Sequence, residues 1–151
     1  MKRSLDYGET FEKTVPIHVH GSDGNVGIAG DPDVASSNET LFVVWRDNYY
    51  GPSGNFIIYF KAIPAGDEEN FDDAIAISDK TREASSPQIA VFENNVYIVC
   101  EDKTDPENTE VFFRASADAG KTFGEIVNLS LNPNDSHYTH LAASDGAVFV
   151  L

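Results

Sequence analysis

One octapeptide pattern occurs twice and sets the period of the whole chain. Ser4-Leu5-Asp6-Tyr7-Gly8-Glu9-Thr10-Phe11 and Ser116-Ala117-Asp118-Ala119-Gly120-Lys121-Thr122-Phe123 share S-x-D-x-G-x-T-F. Their first residues stand 112 positions apart, at Ser4 and Ser116, which leaves room for two periods of about 56. A middle copy is expected to end at Phe71, inside Ala62 to Phe71, where the Ser, Asp and Thr are lost. The flanks keep register. Val15 and Ile17, Ile75 and Ile77, and Val127 and Leu129 follow the three Phe residues, while Tyr59-Phe60-Lys61-Ala62 matches Phe112-Phe113-Arg114-Ala115.

The rest of the unit repeats as well. Pro32-Asp33-Val34-Ala35 matches Pro87-Gln88-Ile89-Ala90 and Thr139-His140-Leu141-Ala142. Each is followed by a turn and an apolar, β-branched run, 41–47, 96–102 and 147–151, in which Trp45, Cys100 and Leu151 are aligned. Such runs bounded by Gly, Asn, Asp or Pro read as strands. The best helical rival, 67–77, is weakened by Asn70 and adjacent aspartates. The unit has four strands. A passes through Val34, Ile89 and Leu141, B through Val43, Ile98 and Phe149, C through Ile58 and Phe112, and D through Ile17, Ile77 and Leu129. Four antiparallel strands per fifty-odd residues is the arithmetic of a β-propeller blade.

The expected fold is therefore all-β, a propeller segment of about three blade equivalents. Its parts are the end of a split blade (1–31), a full blade with a degenerate turn (32–86), a full blade with an intact turn (87–138), and the first two strands of another (139–151). Closed propellers have four to eight blades. The expected partners therefore include the remainder of a longer propeller, which is preferred, or a second copy of the chain that closes the ring.

These residues resemble the BNR, or Asp-box, repeat of sialidase-like β-propellers. Ser4, Asp6, Gly8, Thr10 and Phe11, with Ser116, Asp118, Gly120, Thr122 and Phe123, fill the signature, Phe standing where Trp is common. The resemblance implies that the boxes are C–D turns on the rim away from the ligand face. The residue chemistry agrees with a structural role: Asp accepts turn N–H groups, Gly takes positive φ, and Phe plugs the apolar underside. The family's enzymes hold a substrate carboxylate with three arginines and use a Tyr–Glu pair and an acid/base Asp. Of Arg3, Arg46, Arg82 and Arg114, two precede the boxes, which leaves too few for a triad, and the Arg-Ile-Pro or Arg-Leu-Pro motif is absent. No catalytic residue is assigned.

Composition excludes several classes. Ten Lys+Arg against 25 Asp+Glu give a formal charge of −15, which repels phosphate backbones, so nucleic acid is not an expected partner. No apolar run approaches the roughly 18 residues of a membrane span, so no membrane insertion is expected. The lone Cys100 forms no internal disulfide and reads as a buried packing thiol. The first residues read as no signal peptide, which fits a cytosolic protein or a sequence that lacks its leader; the acidic charge and the resemblance lead to the expectation of a protein outside the cell or at its surface.

Among groups able to carry chemistry, the strand-B end is foremost. Trp45, Arg46, Tyr49 and Tyr50 form an aromatic and cationic stretch suited to stacking on a sugar or anchoring a partner. Local packing is the competing reading. Asp67 to Glu69 with Asp72 and Asp73, Glu101 with Asp102, and Asp105 with Glu107 and Glu110 are dense carboxylates with no pair singled out. Asp23, Asn25, Asp31 and Asp33, or 102–107, are the candidates for calcium, but no EF-hand spacing occurs and no cofactor is expected. His18, His20, His137 and His140 read as surface histidines. The expected function is non-catalytic binding or scaffolding with protein or glycan as partner. The alternative is part of a sialidase-like glycoside hydrolase.

Overall fold

The computed structural model describes residues 1–14, 27–49, 54–67, 74–105 and 108–151. Among the described residues ten strands fall into three antiparallel sheets, with no α-helix. The first sheet orders β1 (Ala29–Ser37), β2 (Thr40–Asp47), β3 (Ile57–Pro64) and β4 (Ile75–Ala76) side by side. The second repeats this with β5 (Ala84–Phe92), β6 (Asn95–Asp105), β7 (Asn108–Ser116) and β8 (Val127–Asn128). The third is the hairpin of β9 (Leu141–Ser144) and β10 (Ala147–Val150). Consecutive sheets meet through their first strands, β1 against β5 and β5 against β9. This is a partial β-propeller of four-stranded blades, as the period predicts.

The fourth strands are shorter than the sequence suggests. Ile77 and Leu129 lie just beyond β4 and β8, each donating one N–H, to Ile58 O at 2.7 Å and to Val111 O at 2.8 Å. The next residue continues the ladder with a side chain: Ser78 Oγ accepts from Ile58 N–H (3.0 Å) and Ser130 Oγ from Val111 N–H (2.9 Å). A hydroxyl replaces a backbone carbonyl there, and the outer strand can end without leaving a buried N–H unpaired.

Alternation along the strands fills the space between sheets. Phe42, Val44, Ile58 and Phe60 of the first blade pack with Ala84, Ile89, Val96, Ile98, Cys100 and Phe112 of the second. The opposite face of the first blade buries Val43, Trp45, Ile57, Tyr59 and Ile63. Fully burying such a side chain is worth about 1.5–3 kcal/mol, so these clusters supply most of the drive to stack the sheets.

The β9–β10 register differs from the sequence alignment. Ser144 pairs with Ala147 across a two-residue Asp145-Gly146 turn, as Phe92 pairs with Asn95. The offset from the second blade is therefore 52 throughout. Leu151 matches Val99 rather than Cys100, and Phe149 matches Tyr97 rather than Ile98. A slip of one position moves a strand residue to the other face.

The first strands also share a kink. Asp31 (φ 49°), Ser86 (φ 51°) and Tyr138 (φ 60°) take left-handed backbone at equivalent positions, and the first two sit in register breaks. A non-glycine residue there costs on the order of 1–3 kcal/mol, so surrounding structure must hold it. Two residues later a side chain crosses to the next blade. Asp33 Oδ2 accepts from Ile89 N–H at 2.9 Å, and Gln88 Oε1 accepts from Leu141 N–H at 3.0 Å.

Candidate functional site

The two ends of each sheet serve different purposes. At one end lie the A–B and C–D turns, tied together by Ala119 N–H to Asn94 O at 2.8 Å. The S-x-D-x-G-x-T-F turns sit here and match in the bonds of their serine, aspartate and threonine side chains. Ser4 and Ser116 hydroxyls donate to Asp6 and Asp118 Oδ1, both at 2.7 Å. The same hydroxyls accept from Gly8 and Gly120 N–H at 2.8 and 2.9 Å. Thr10 and Thr122 N–H donate to the aspartates, both at 2.9 Å, and their hydroxyls donate to the second carboxylate oxygens. Glu12 N–H to Arg3 O (2.8 Å) and Gly124 N–H to Ala115 O (2.9 Å) close both turns. The threonine hydroxyl and N–H, with the serine hydroxyl, hold both carboxyls down at about 2. The serine, aspartate and threonine polar groups are spent inside the turn, which makes it a corner brace.

The turns differ in what they touch. Phe123 is half-buried edge-on against Phe60 of the first blade, ring centroids 5.0 Å apart, whereas Phe11 is exposed. The expected plug is therefore made by Phe123 and not by Phe11.

The opposite end gathers the B–C and D–A connections, and the candidate site is here. Arg46 Nε lies 2.9 Å from Asp31 Oδ2, and its guanidinium sits 4.5 Å over the Phe56 ring. Asp47 Oδ1 accepts from Tyr49 N–H (2.7 Å), and Asn48 Oδ1 from Ile28 N–H (2.7 Å). In the second blade Arg82 Nε stands 3.1 Å from the buried Asp102 Oδ1 and 5.0 Å over Phe112. Burial raises Asp102 to about 6 against the pull of Arg82. Asp79 carries the opposite shift: the Thr81 N–H and hydroxyl lower it. Just before β9, the first strand of the third sheet, Glu101 accepts from Tyr138 N–H at 2.8 Å and lies 3.1 Å from His137 Nδ1. Asp135 Oδ2 is 3.9 Å from His137 Nε2. Tyr138 is 89% exposed, with its ring 6.0 Å from that of His137.

Of the four expected ligand residues, Arg46 and Tyr49 are at this end, and Tyr50 lies outside the described residues. Trp45 is 2% exposed and stacks on Tyr59 with centroids 6.0 Å apart. Strand alternation turns it into the core, so it offers no open face to a ligand. The residues that the sequence did not single out together are Ser86, Glu101, His137 and Tyr138. The signal was available: Ser86 and Tyr138 repeat Asp31, and Glu101 repeats Arg46, at the blade offsets.

The other expected groups are dispersed. Glu101 and Asp102 point to opposite faces of β6, toward His137 and Arg82. Glu110 is buried, accepting from Asn108 Nδ2 (2.9 Å) and from the Ser130 hydroxyl. Asp31 is held by Arg46, and Asp33 by the N–H groups of Val34 and Ile89. Asp23, Asn25, Glu68, Glu69, Asp72, Asp73, Glu107, His18, His20 and Phe71 lie outside the described residues. Among the described residues no three His, Cys, Asp or Glu side chains converge as a metal site. No helix long and apolar enough to cross a membrane occurs among them either. Cys100 is buried, and burial pushes its thiol up to about 12.

The architecture defines a β-propeller segment with a polar, aromatic end face. Among solved structures it is similar to the α-L-arabinanase of Penicillium chrysogenum, whose structure was determined with arabinobiose. The TM-score is 0.64 at 14% identity, over 99% of this chain and 50% of that one. The chain thus spans half the length of that neighbour, and the likeness is one of fold. No protein-family model and no curated protein matches the sequence.

Proposed function

We propose that this chain is a non-catalytic, glycan-recognising segment of an extracellular or cell-surface β-propeller of the Asp-box type, binding at the end face that carries Arg46, Tyr49, His137 and Tyr138. The observation that carries this reading is the exposed Tyr138 ring, set on a left-handed kink beside His137. An aromatic face held out by rigid backbone suits the apolar side of a sugar ring, with neighbouring charged groups for its hydroxyls. The assignment to Asp-box repeats is supported by the two corner braces, which agree in every hydrogen bond that the serine, aspartate and threonine side chains make.

The non-catalytic part rests on what the carboxylates at this face already do. Asp31 holds Arg46, Asp102 is buried against Arg82, and Glu101 caps the Tyr138 N–H. A glycosidase needs an acid and a second carboxylate facing one sugar. The competing reading, part of a glycoside hydrolase, draws on the fold likeness to the arabinanase. No metal is needed for the proposed role, and calcium or chelator is expected to leave the melting temperature unchanged.

Glycan-array binding of the 151-residue protein tests this. Binding lost in Tyr138→Ala and in Arg46→Ala, with unchanged melting, is expected. Turnover of a fluorogenic sialoside or arabinofuranoside that disappears in Asp31→Asn would instead establish the hydrolase reading.

A further inference from the structure

Among the described residues, both arginines of the end face are already engaged. Arg46 Nε lies 2.9 Å from Asp31 Oδ2, with Cζ 4.5 Å from the Phe56 ring centroid. Arg82 stands between Asp102, 3.1 Å from Nε, and Asp79, 3.7 Å from Nη2, with Cζ 5.0 Å from the Phe112 centroid. The other two arginines, Arg3 and Arg114, are tied beside the corner turns at the far end, to Glu12 and to the Gly124 carbonyl. A guanidinium clamps a carboxylate best when its fork is open. Here an incoming carboxylate must displace a resident one or settle beside it. A hydroxyl meets no such competitor, because it can accept from a guanidinium N–H that the resident carboxylate leaves over.

The repeat also reverses a charge. Gly30 pairs with Arg46 in the first blade, and Ser85 with Glu101 at the same rung of the second, so a carboxylate stands where the first blade has a cation. Glu101 is buried, accepts from the Tyr138 N–H at 2.8 Å and lies 3.1 Å from His137 Nδ1. Its charge sits beneath the backbone that holds out the exposed Tyr138 ring, and Asp135 is 3.9 Å from the other nitrogen of the same imidazole. Among the described residues of this end, Asp31, Asp79, Glu83, Glu101, Asp102 and Asp135 stand against Arg46, Lys80, Arg82 and Lys103, in a chain of formal charge −15. The field over the face is negative. We infer that this face takes uncharged glycans and turns away those that carry a carboxylate, uronic and sialic acids alike. Resting on the glycan reading above, the selectivity comes from the field and the paired arginines. A neutral ring stacked on Tyr138 meets no penalty. A carboxylate on that ring comes within about a Debye length, ~10 Å at about 0.1 M salt, of Glu101 and Asp135. Like charges set side by side suppress the wrong partner.

A glycan array printed with matched pairs tests this: uronates and sialosides, each beside its methyl ester, which removes the charge and keeps the ring. At low salt the 151-residue protein should bind the esters or other uncharged glycans at least about tenfold more tightly than any free acid, roughly 1.4 kcal/mol. High salt should narrow the gap, because screening weakens the repulsion. Asp31→Asn should narrow it as well, by removing the charge that occupies Arg46 and so raising binding of the free acids. Asparagine tolerates the left-handed backbone of that position, so the strand kink survives. Glu101→Gln should act in the same direction, since the amide oxygen can still accept from the Tyr138 N–H. Free acids bound as tightly as their esters, or a gap that neither salt nor either variant moves, would overturn the selectivity and leave the glycan reading in place. Binding to no glycan, or binding that survives Tyr138→Ala, would overturn the glycan reading itself and the selectivity with it.

Discussion

A Cβ placed on Gly120 would stand 2.3 Å from the Phe60 ring of the neighbouring blade. Gly120 also has φ +80°, while Gly8, at φ +91° in the equivalent turn, has nothing within 4 Å. One repeat position is thus constrained twice in one copy and once in the other. Gly8→Ala should cost only the left-handed backbone penalty, about 1–2 kcal/mol. Gly120→Ala adds overpacking against a buried ring, a further 1–3 kcal/mol or so. Denaturant unfolding of the two variants measures the difference, and equal losses would contradict the docking of this turn on Phe60.

The crossing bonds from Asp33 and Gln88 should matter to cohesion between blades. Asp33→Ala leaves the Ile89 N–H without its acceptor, at a cost of about 1–3 kcal/mol. Gln88→Ala does the same to Leu141. Hydrogen exchange of those two amides checks each loss locally: the Ile89 amide should speed up in the first variant and the Leu141 amide in the second.

Acid stability should show two opposing limbs. Asp6 and Asp118 have folded values of about 2, below the ordinary 3.8. Their contribution is present above 3.8 and is lost as pH falls toward 2. Asp102 is the reverse, with a folded value of about 6. The folded state holds its proton between 3.8 and about 6, so stability falls as pH rises through that window, by on the order of 1–3 kcal/mol. Asp102→Asn should abolish the second limb and leave the first, as read from melting temperature against pH.

Trp45 is the sole tryptophan, and its ring is enclosed against Tyr59. Its emission should be blue-shifted, resistant to acrylamide and unmoved by any glycan that binds the end face. A ligand-induced shift in that emission would return Trp45 to the binding surface.

Cys100 gives an independent readout of global opening. Its thiol is buried and pushed up to about 12, so little thiolate exists at neutral pH. Alkylation should follow unfolding, with native protein labelled only as fast as the core between the blades opens.

Most of the fold was legible because its signals are local. The two S-x-D-x-G-x-T-F segments contain all the donors and acceptors of their own corner, and β2, β3, β6 and β7 are apolar runs between turn residues. What escaped was relational. Trp45 read as an exposed platform because its facing is set by strand alternation and by its stacking on Tyr59. Leu151 was aligned one position out because the length of the Asp145-Gly146 turn fixes the rung. The kinks at Asp31, Ser86 and Tyr138 leave no glycine to mark them, and Glu101 meets Tyr138 only once two blades are stacked. The candidate site is assembled from such contacts, which is why the sequence drew attention to Arg46 and Tyr49 on one continuous stretch and did not group His137 and Tyr138 with them.

The kink that opens each first strand separates geometry from identity. Asp, Ser and Tyr occupy the same backbone station in succession, and the chain path does not change to suit them. Chemistry at that station can be exchanged like type in a fixed frame, with the neighbouring first strand keeping the line straight. A scaffold organised this way acquires a new specificity by altering single letters and need not re-solve its own architecture.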